Sequence, residues 1–333
     1  MAIEQLRDLV PKLVGCRILV IGDAFLDEYL IGKATRMSRE APIPVLEFEE
    51  RRLIPGGAAN PAANIVALGG SAILVSVIGA DAEATTLRQV LQAQGIETTT
   101  LVVDATRPTT IKTRVMAQMG LRFPQQVARL DRLSRDAISP AIEKRLRAAL
   151  FEHLNDVDAI LFSDYQVGLL TPELVNAICD LAHGRVLLTA DSQGQFDKYV
   201  GFGLVKCNTA EAEDYLRRDL RSSDEFGAAA LELCATLKLT LGMVITRGAE
   251  GVTIATAEGE VAHCPTPAIT DVYDTVGAGD TAVAVLTMAL AVGSSLVDAA
   301  LLANYASGLV VRRVGNYSPT PSEVIWALEN WRV

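Results

Sequence analysis

Short runs of apolar, largely β-branched residues recur along the chain at 17–21, 72–77, 159–162, 186–189, 204–206 and 243–246. Each run ends in glycine or a polar residue and leads into apolar positions at helical spacing. Strands that are apolar at nearly every position are covered on both faces. The pattern therefore predicts a mainly parallel sheet between two layers of helices, a three-layer α/β fold.

Two stretches break the alternation. Residues 24–54 and 108–130 read as strand with no helix between, and Pro42 and Pro44 suit a sheet edge. They predict a small β lid, built from two insertions, over the strand ends where α/β sheets bind ligands. Nothing else divides the 333 residues, so a single domain is expected.

Composition narrows the function classes. Half the residues are hydrophobic and 21% are charged, as in ordinary globular chains. A net charge of −10 speaks against a nucleic-acid binder, which needs a basic face. It leaves phosphate ligands open, because a few cations and backbone N–H groups suffice for them. Cysteines at 16, 179, 207, 234 and 264 form no CxxC, which argues against a disulfide or zinc framework and for a reducing cytoplasm. His153, His183 and His263 show no ligand spacing, and Trp326 and Trp331 read as packing residues. The N-terminus lacks the apolar core of a signal peptide, and the longest apolar stretch, about 281–292, reads as a buried helix and not a membrane span.

The most informative segment is DTVGAGDT, from Asp274 to Thr281, directly before that helix. Gly277 and Gly279 let the backbone turn tightly and approach a ligand. With Ala278 between them they offer unpaired N–H groups at a helix start, where the dipole favours an anion. Asp280 brings a carboxylate to the same place, a costly neighbour for an anion unless it accepts a proton from an attacking hydroxyl. An acid in the first helical turn is also what the dipole alone would favour. Gly277, Gly279 and Ala282 match G-x-G-x-x-A as well, with Asp298 further on. That fingerprint needs flanking strands, however, and residues after Gly279 continue as helix.

A second glycine segment, PGGAANPAAN, carries Gly56 and Gly57 ahead of a helix start, with Asn60 and Asn64 on one helix face. Amides both donate to and accept from hydroxyls, which suits a sugar, although a tight loop with a capping Asn reads equally well. Asp23 follows the first strand and Asp164 follows another, both at the edge where α/β sheets bind ligands or as plain loop caps.

Together PGGAANPAANIVALGG and DTVGAGDT resemble the two signatures of the PfkB, or ribokinase-like, carbohydrate kinases, and the resemblance covers essentially the whole chain. It implies a ribokinase-like three-layer α/β/α fold and transfer of the γ-phosphoryl of ATP to a sugar hydroxyl, with Asp280 as base and the 277–279 backbone as anion hole. Asp23, Gly57 and Asn60 would hold sugar hydroxyls. KCNTAE resembles the family's N-x-x-E segment, so Asn208 and Glu211 would position Mg²⁺ through water. TRGAEGV resembles its nucleotide turn, so Thr246, Gly248 and Gly251 would line the ATP cleft, with Asn304 flanking adenine. Asp274 and the Val276 carbonyl match a monovalent-cation loop, which implies potassium.

Longer segments, GDAFLDEYLIGKATRMSREAPIPV, PTTIKTRV, ARLDRL, SDY and CPTPAITDVYDTVGAGDT, are similar to the branch of the family that acts on heptose 7-phosphate at its anomeric hydroxyl. The substrate phosphate would then meet lid cations, Arg36, Lys112 and Arg114 being the candidates. Lys112 and Arg114 share a strand face; cations there also guard strand edges. Ending at Val333, the chain is expected to be a stand-alone kinase. One departure stands out: Asp191-Ser-Gln-Gly194 occupies the place of Asp-Pro-Lys-Gly, and Lys206 is a candidate to replace the missing cation. Exposed lids can pair across a two-fold axis, so a homodimer is expected. Other readings are a kinase of the same family acting on another sugar or nucleoside, and a non-catalytic sensor on this fold.

Overall fold

A computed structural model describes residues 3–120, 124–182, 184–269 and 271–332, so that His183 lies outside the described residues. The strands are β1 (Arg17–Gly22), β2 (Ala24–Met37), β3 (Pro44–Gly57), β4 (Ser71–Ile78), β5 (Leu101–Val103), β6 (Ile111–Gln118), β7 (Gln125–Arg132), β8 (Ala159–Asp164), β9 (Leu187–Ser192), β10 (Leu204–Asn208), β11 (Gly242–Thr246), β12 (Val252–Thr256) and β13 (Val261–Cys264). The helices are α1 (Ile3–Leu9), α2 (Ala59–Ala67), α3 (Ala82–Ala93), α4 (Pro140–Phe151), α5 (Pro172–Ala182), α6 (Thr209–Leu216), α7 (Ser223–Thr236), α8 (Ala278–Ala291), α9 (Leu296–Val310) and α10 (Pro321–Asn330).

Nine strands form the central sheet in the order β13-β12-β11-β10-β9-β8-β1-β4-β5. All are parallel to their neighbours except β12 and β13, which pair antiparallel at one edge. Alternate residues of each strand supply separate cores. Ile18 and Val20 pack with α2, α8 and α9, while Leu19 and Ile21 pack with α4, α5 and α7 on the other face. This accounts for strands apolar at every position, and confirms the three-layer α/β/α fold. The apolar stretch near 281–292 is the buried helix α8. No helix among the described residues is long and apolar enough to cross a membrane.

The four remaining strands form a second sheet in the order β3-β2-β6-β7, built from the two stretches expected to be the lid. Pro44 opens β3, an edge strand, where its missing N–H costs no ladder bond. The lid leaves the body at Gly56-Gly57. Gly57 has φ +57°, and a side chain on it would begin 2.1 Å from the Asp23 carbonyl oxygen. A side chain on Gly56 would collide with Asp27 and Phe25. These glycines therefore bring the base of the lid against the end of β1, which the tight-loop reading of this segment requires.

Candidate active site

The carboxyl ends of β1, β8, β9, β10 and β11 lie side by side in register, with Gly22 beside Ser163, Asp164 beside Ser192, Asp191 beside Lys206 and Asn208 beside Thr246. Loops and helix starts beyond them enclose a polar cavity of about 160 Å³, lined by Asp164, Tyr165, Asp191, Lys206, Glu211 and Asp280 among others.

Asp280 stands in the first turn of α8, whose N-cap, Gly277, has φ +83°. Both carboxylate oxygens hold a donor. The Asn60 amide donates to Oδ2 at 2.6 Å and the Tyr165 hydroxyl donates to Oδ1 at 2.7 Å. Burial pushes the Asp280 carboxyl up to about 6, with the Tyr165 and Asn60 donors pulling it down and Asp191 adding to the rise. Asn64 continues the tie between α2 and α8, accepting from the Thr281 hydroxyl at 2.8 Å and donating to the Asn60 carbonyl at 2.9 Å. The shared helix face expected for Asn60 and Asn64 is therefore the face turned to Asp280 and Thr281. Of the expected anion-hole backbone, the Ala278 N–H leans on the Thr275 carbonyl at 3.4 Å. Ser307 of α9 secures the same turn by donating to the Ala278 carbonyl.

Lys206 supplies the cation. Its ammonium donates to both oxygens of Asp191 at 2.9 and 2.8 Å, and lies 3.1 Å from the point where a side chain on Gly279 would begin. Burial alone would lower the Lys206 pKa, but Asp191 and Glu211 hold it above its ordinary value. A lysine fixed by Asp191 thus sits against the glycine loop, while Gln193 takes the position of the lysine missing from the loop after β9.

Asn208 and Glu211 line the same cavity and also cap α6. The Asn208 side chain accepts the Glu211 N–H at 2.9 Å, and the Glu211 carboxylate accepts the Asn208 N–H at 2.7 Å. Burial, with Asp191 close by, raises the Glu211 carboxyl. Past β11, Gly248 and Gly251 shape the turn after Thr246 with φ of +58° and +87°. The Thr246 hydroxyl donates to the Cys207 carbonyl. A side chain on Gly251 would begin 2.1 Å from the Cys264 carbonyl oxygen, the group that accepts from Asn304 at 2.8 Å. Asn304 therefore joins α9 to the end of β13.

Several candidates have other work. The Asp23 carboxylate accepts the N–H groups of Tyr165 and Val167 at 3.1 Å each and so fixes the loop after β8; burial raises it to about 6. Asp164 is taken up by Lys198 at 2.5 Å and the Tyr199 hydroxyl at 2.7 Å. Asp274 accepts the N–H groups of Val276 and Gly315, joining the glycine loop to the segment before α10. Arg36 is exposed on β2, further out than Asp27 and Tyr29, and the chain does not bring it to this cavity.

On the lid, Lys112 and Arg114 do share a face. Arg114 is paired with Asp27 in a buried ion pair. Lys112 has no ion pair or hydrogen bond among the described residues; its ammonium lies 3.8 Å from the centre of the Phe25 ring and 5.0 Å from that of Tyr165. Burial lowers its pKa, with Asp27 opposing. Asn316 reaches across from the segment before α10, donating to Asp27 and the Pro55 carbonyl at 3.0 Å each.

Sequence reading missed Tyr165, Asp27 and Asn316. Asp27 carried a usable signal, since it alternates with Phe25 and Tyr29 along a strand and faces the Lys112 and Arg114 register. Tyr165 and Asn316 lie in irregular segments whose neighbours only the fold defines.

A model of the pfkB family carbohydrate kinases matches residues 17–323. The chain belongs to that family and is a carbohydrate kinase. It is similar to the bifunctional protein HldE of Geobacter sulfurreducens, 41% identical over 327 residues that make up 98% of this chain and 65% of that protein. The bifunctional protein HldE of Helicobacter pylori is 36% identical over 310 residues, 92% of this chain and 66% of that one. The chain thus spans about 65% of the length of these curated relatives. Among solved structures, phosphofructokinase-2 from Escherichia coli in complex with potassium superimposes with a TM-score of 0.76 at 19% identity, covering 95% of this chain and 98% of that one. Arabidopsis thaliana ribokinase complexed with ribose and ATP gives 0.72 at 16% identity, covering 95% and 99%. Both share the fold.

Proposed function

We propose that this kinase transfers the γ-phosphoryl of ATP to the anomeric hydroxyl of D-glycero-β-D-manno-heptose 7-phosphate, giving the 1,7-bisphosphate used toward the heptose of lipopolysaccharide core. The observation that carries the transfer chemistry is Asp280, held by two donors at a helix start beside a lysine fixed against the glycine loop. Asp280 accepts the proton of the anomeric hydroxyl as that oxygen bonds to the γ-phosphorus and the bond to ADP breaks. The N–H groups at the start of α8 and the Lys206 ammonium stabilise the oxygens of the transferring group. Thr246, Gly248, Gly251 and Asn304 line the nucleotide cleft. Asn60 and Asp27 meet sugar hydroxyls, a role in which Asp27 replaces Asp23.

Carboxylates outnumber cations around the cavity: Asp164, Asp191, Glu211 and Asp280 face one lysine. An oxygen-rich, anionic wall fits a hard divalent ion arriving with ATP. Asn208 and Glu211 would hold Mg²⁺ through water, and the ion would neutralise phosphate charge. At Asp274 and the Val276 carbonyl a potassium ion would act on the position of the glycine loop; rates in potassium chloride against choline chloride test that site.

Recognition of the 7-phosphate rests on Lys112, a half-buried lid cation with no ion pair or hydrogen bond among the described residues, and on Arg114 two residues along the same strand. Exposed Met37, Phe48, Val127 and Leu130 on the lid strands support a homodimer formed through the lid, and a monomer in sedimentation at micromolar concentration would count against it. The substrate is tested by ADP release with Mg-ATP across heptose 7-phosphate, fructose 6-phosphate, ribose, fructose and adenosine. Turnover confined to the heptose phosphate supports the assignment. Turnover of a neutral sugar keeps the kinase and discards the lid phosphate site.

A further inference from the structure

Tyr165, the first residue of the loop after β8, touches both Asp280 and the lid. Its hydroxyl donates to Asp280 Oδ1 at 2.7 Å, and its backbone N–H donates to buried Asp23 at 3.1 Å. Its ring meets Phe25 of β2 edge to face, with centroids 5.1 Å apart at 85°. Lys112 of β6 lies 5.0 Å from the ring centre. Backbone, ring and hydroxyl are therefore each held by a different part of the molecule.

We propose that Tyr165 is a positioning residue for the base: its hydroxyl aligns one oxygen of Asp280, and the lid residues that clamp its ring make that alignment depend on the lid. A carboxylate free to rotate about its side-chain torsions would sample many orientations towards an acceptor hydroxyl. With Asn60 on one oxygen and Tyr165 on the other, the carboxylate plane is fixed in a side chain that lines the cavity. The phenol stays neutral, because burial and the charge of Asp280 raise its pKa well above the ordinary value; it acts as a donor only. A neutral donor to the ionised carboxylate also favours that form, which is the form a base needs. Phe25 and Lys112 belong to the lid, so a shift of β2 and β6 when an acceptor phosphate arrives moves the ring and with it the donor.

The proposal rests on Asp280 being the base, and the test separates the two. Tyr165→Phe keeps the ring and removes the hydroxyl. With whichever acceptor the panel identifies, kcat is expected to fall roughly tenfold or more, the loss of one hydrogen bond to a charged group, with KM for ATP nearly unchanged. The acid limb of the kcat profile should move to higher pH, and ¹³C NMR titration of Asp280, assigned with Asp280→Asn, should move with it. Phe25→Leu should lower kcat as well, and in the double variant the two losses should not multiply. An unmoved acid limb and an unmoved carboxyl titration in Tyr165→Phe would overturn the role at the base, even if kcat fell. Wild-type kcat in Phe25→Leu, or fully multiplicative losses, would overturn the link to the lid. If wild type turned over no acceptor, the kinase reading would fail, and the NMR titration would still decide whether Tyr165 governs Asp280.

Discussion

The Asn60 amide donates to Asp280 across 220 positions of sequence. That bond brings the two glycine segments of the chain to one carboxylate, with Asn64 and Thr281 closing a second contact one turn away. Asp280 is thus set by two helices, α2 and α8, packed side by side.

The pH dependence follows from the environment of Asp280. Burial raises its carboxyl to about 6, above the ordinary value of 3.8. The ionised form is the active one, so activity is full well above pH 6 and falls as pH drops through it. Below the limb the rate should fall about tenfold per pH unit. A kcat profile from pH 5 to 8 checks this; a flat profile down to pH 5 would mean that burial does not raise the base.

Lys206 and Asp191 form a pair whose side chains are 6% and 16% exposed. Lys206→Met leaves Asp191 buried without its cation, which should cost about 3–5 kcal/mol of stability along with most of the activity. Lys206→Met combined with Asp191→Leu should recover much of the melting temperature, because well-packed apolar replacements of a buried pair are often neutral. Activity should stay lost. Recovery of both in the double variant would show that the lysine serves the fold alone.

Lys112→Ala should raise KM for the phosphorylated acceptor at least tenfold while KM for ATP changes little, since a lid cation meets only the sugar side. Steady-state kinetics with each substrate varied in turn measures this. Equal rises in both constants would remove the lid phosphate site.

Much of this was legible in the sequence. The six apolar runs predicted all became strands of the central sheet, because burial on both faces leaves a strong pattern. The lid was legible from two stretches of strand without helices. The antiparallel edge, β12 and β13, was not foreseen, since short edge strands carry weak periodicity. At the site, DTVGAGDT put Asp280 at a helix start behind two glycines, and the structure has it there. Asp23 stayed open between two readings because a carboxylate after a strand serves a loop's N–H groups as readily as a ligand. Tyr165 appeared only as the last residue of SDY, without a role, and Asn316 not at all, since their partners lie far along the chain in segments that only the packing brings close.

The central claim is that Asp280 takes the proton of the acceptor hydroxyl. Asp280→Asn keeps the size of the side chain and removes the base. The account predicts a folded protein that still binds ATP and whose kcat falls by about 10²–10⁴-fold, the usual contribution of a positioned general base. A kcat within a few-fold of wild type would contradict it.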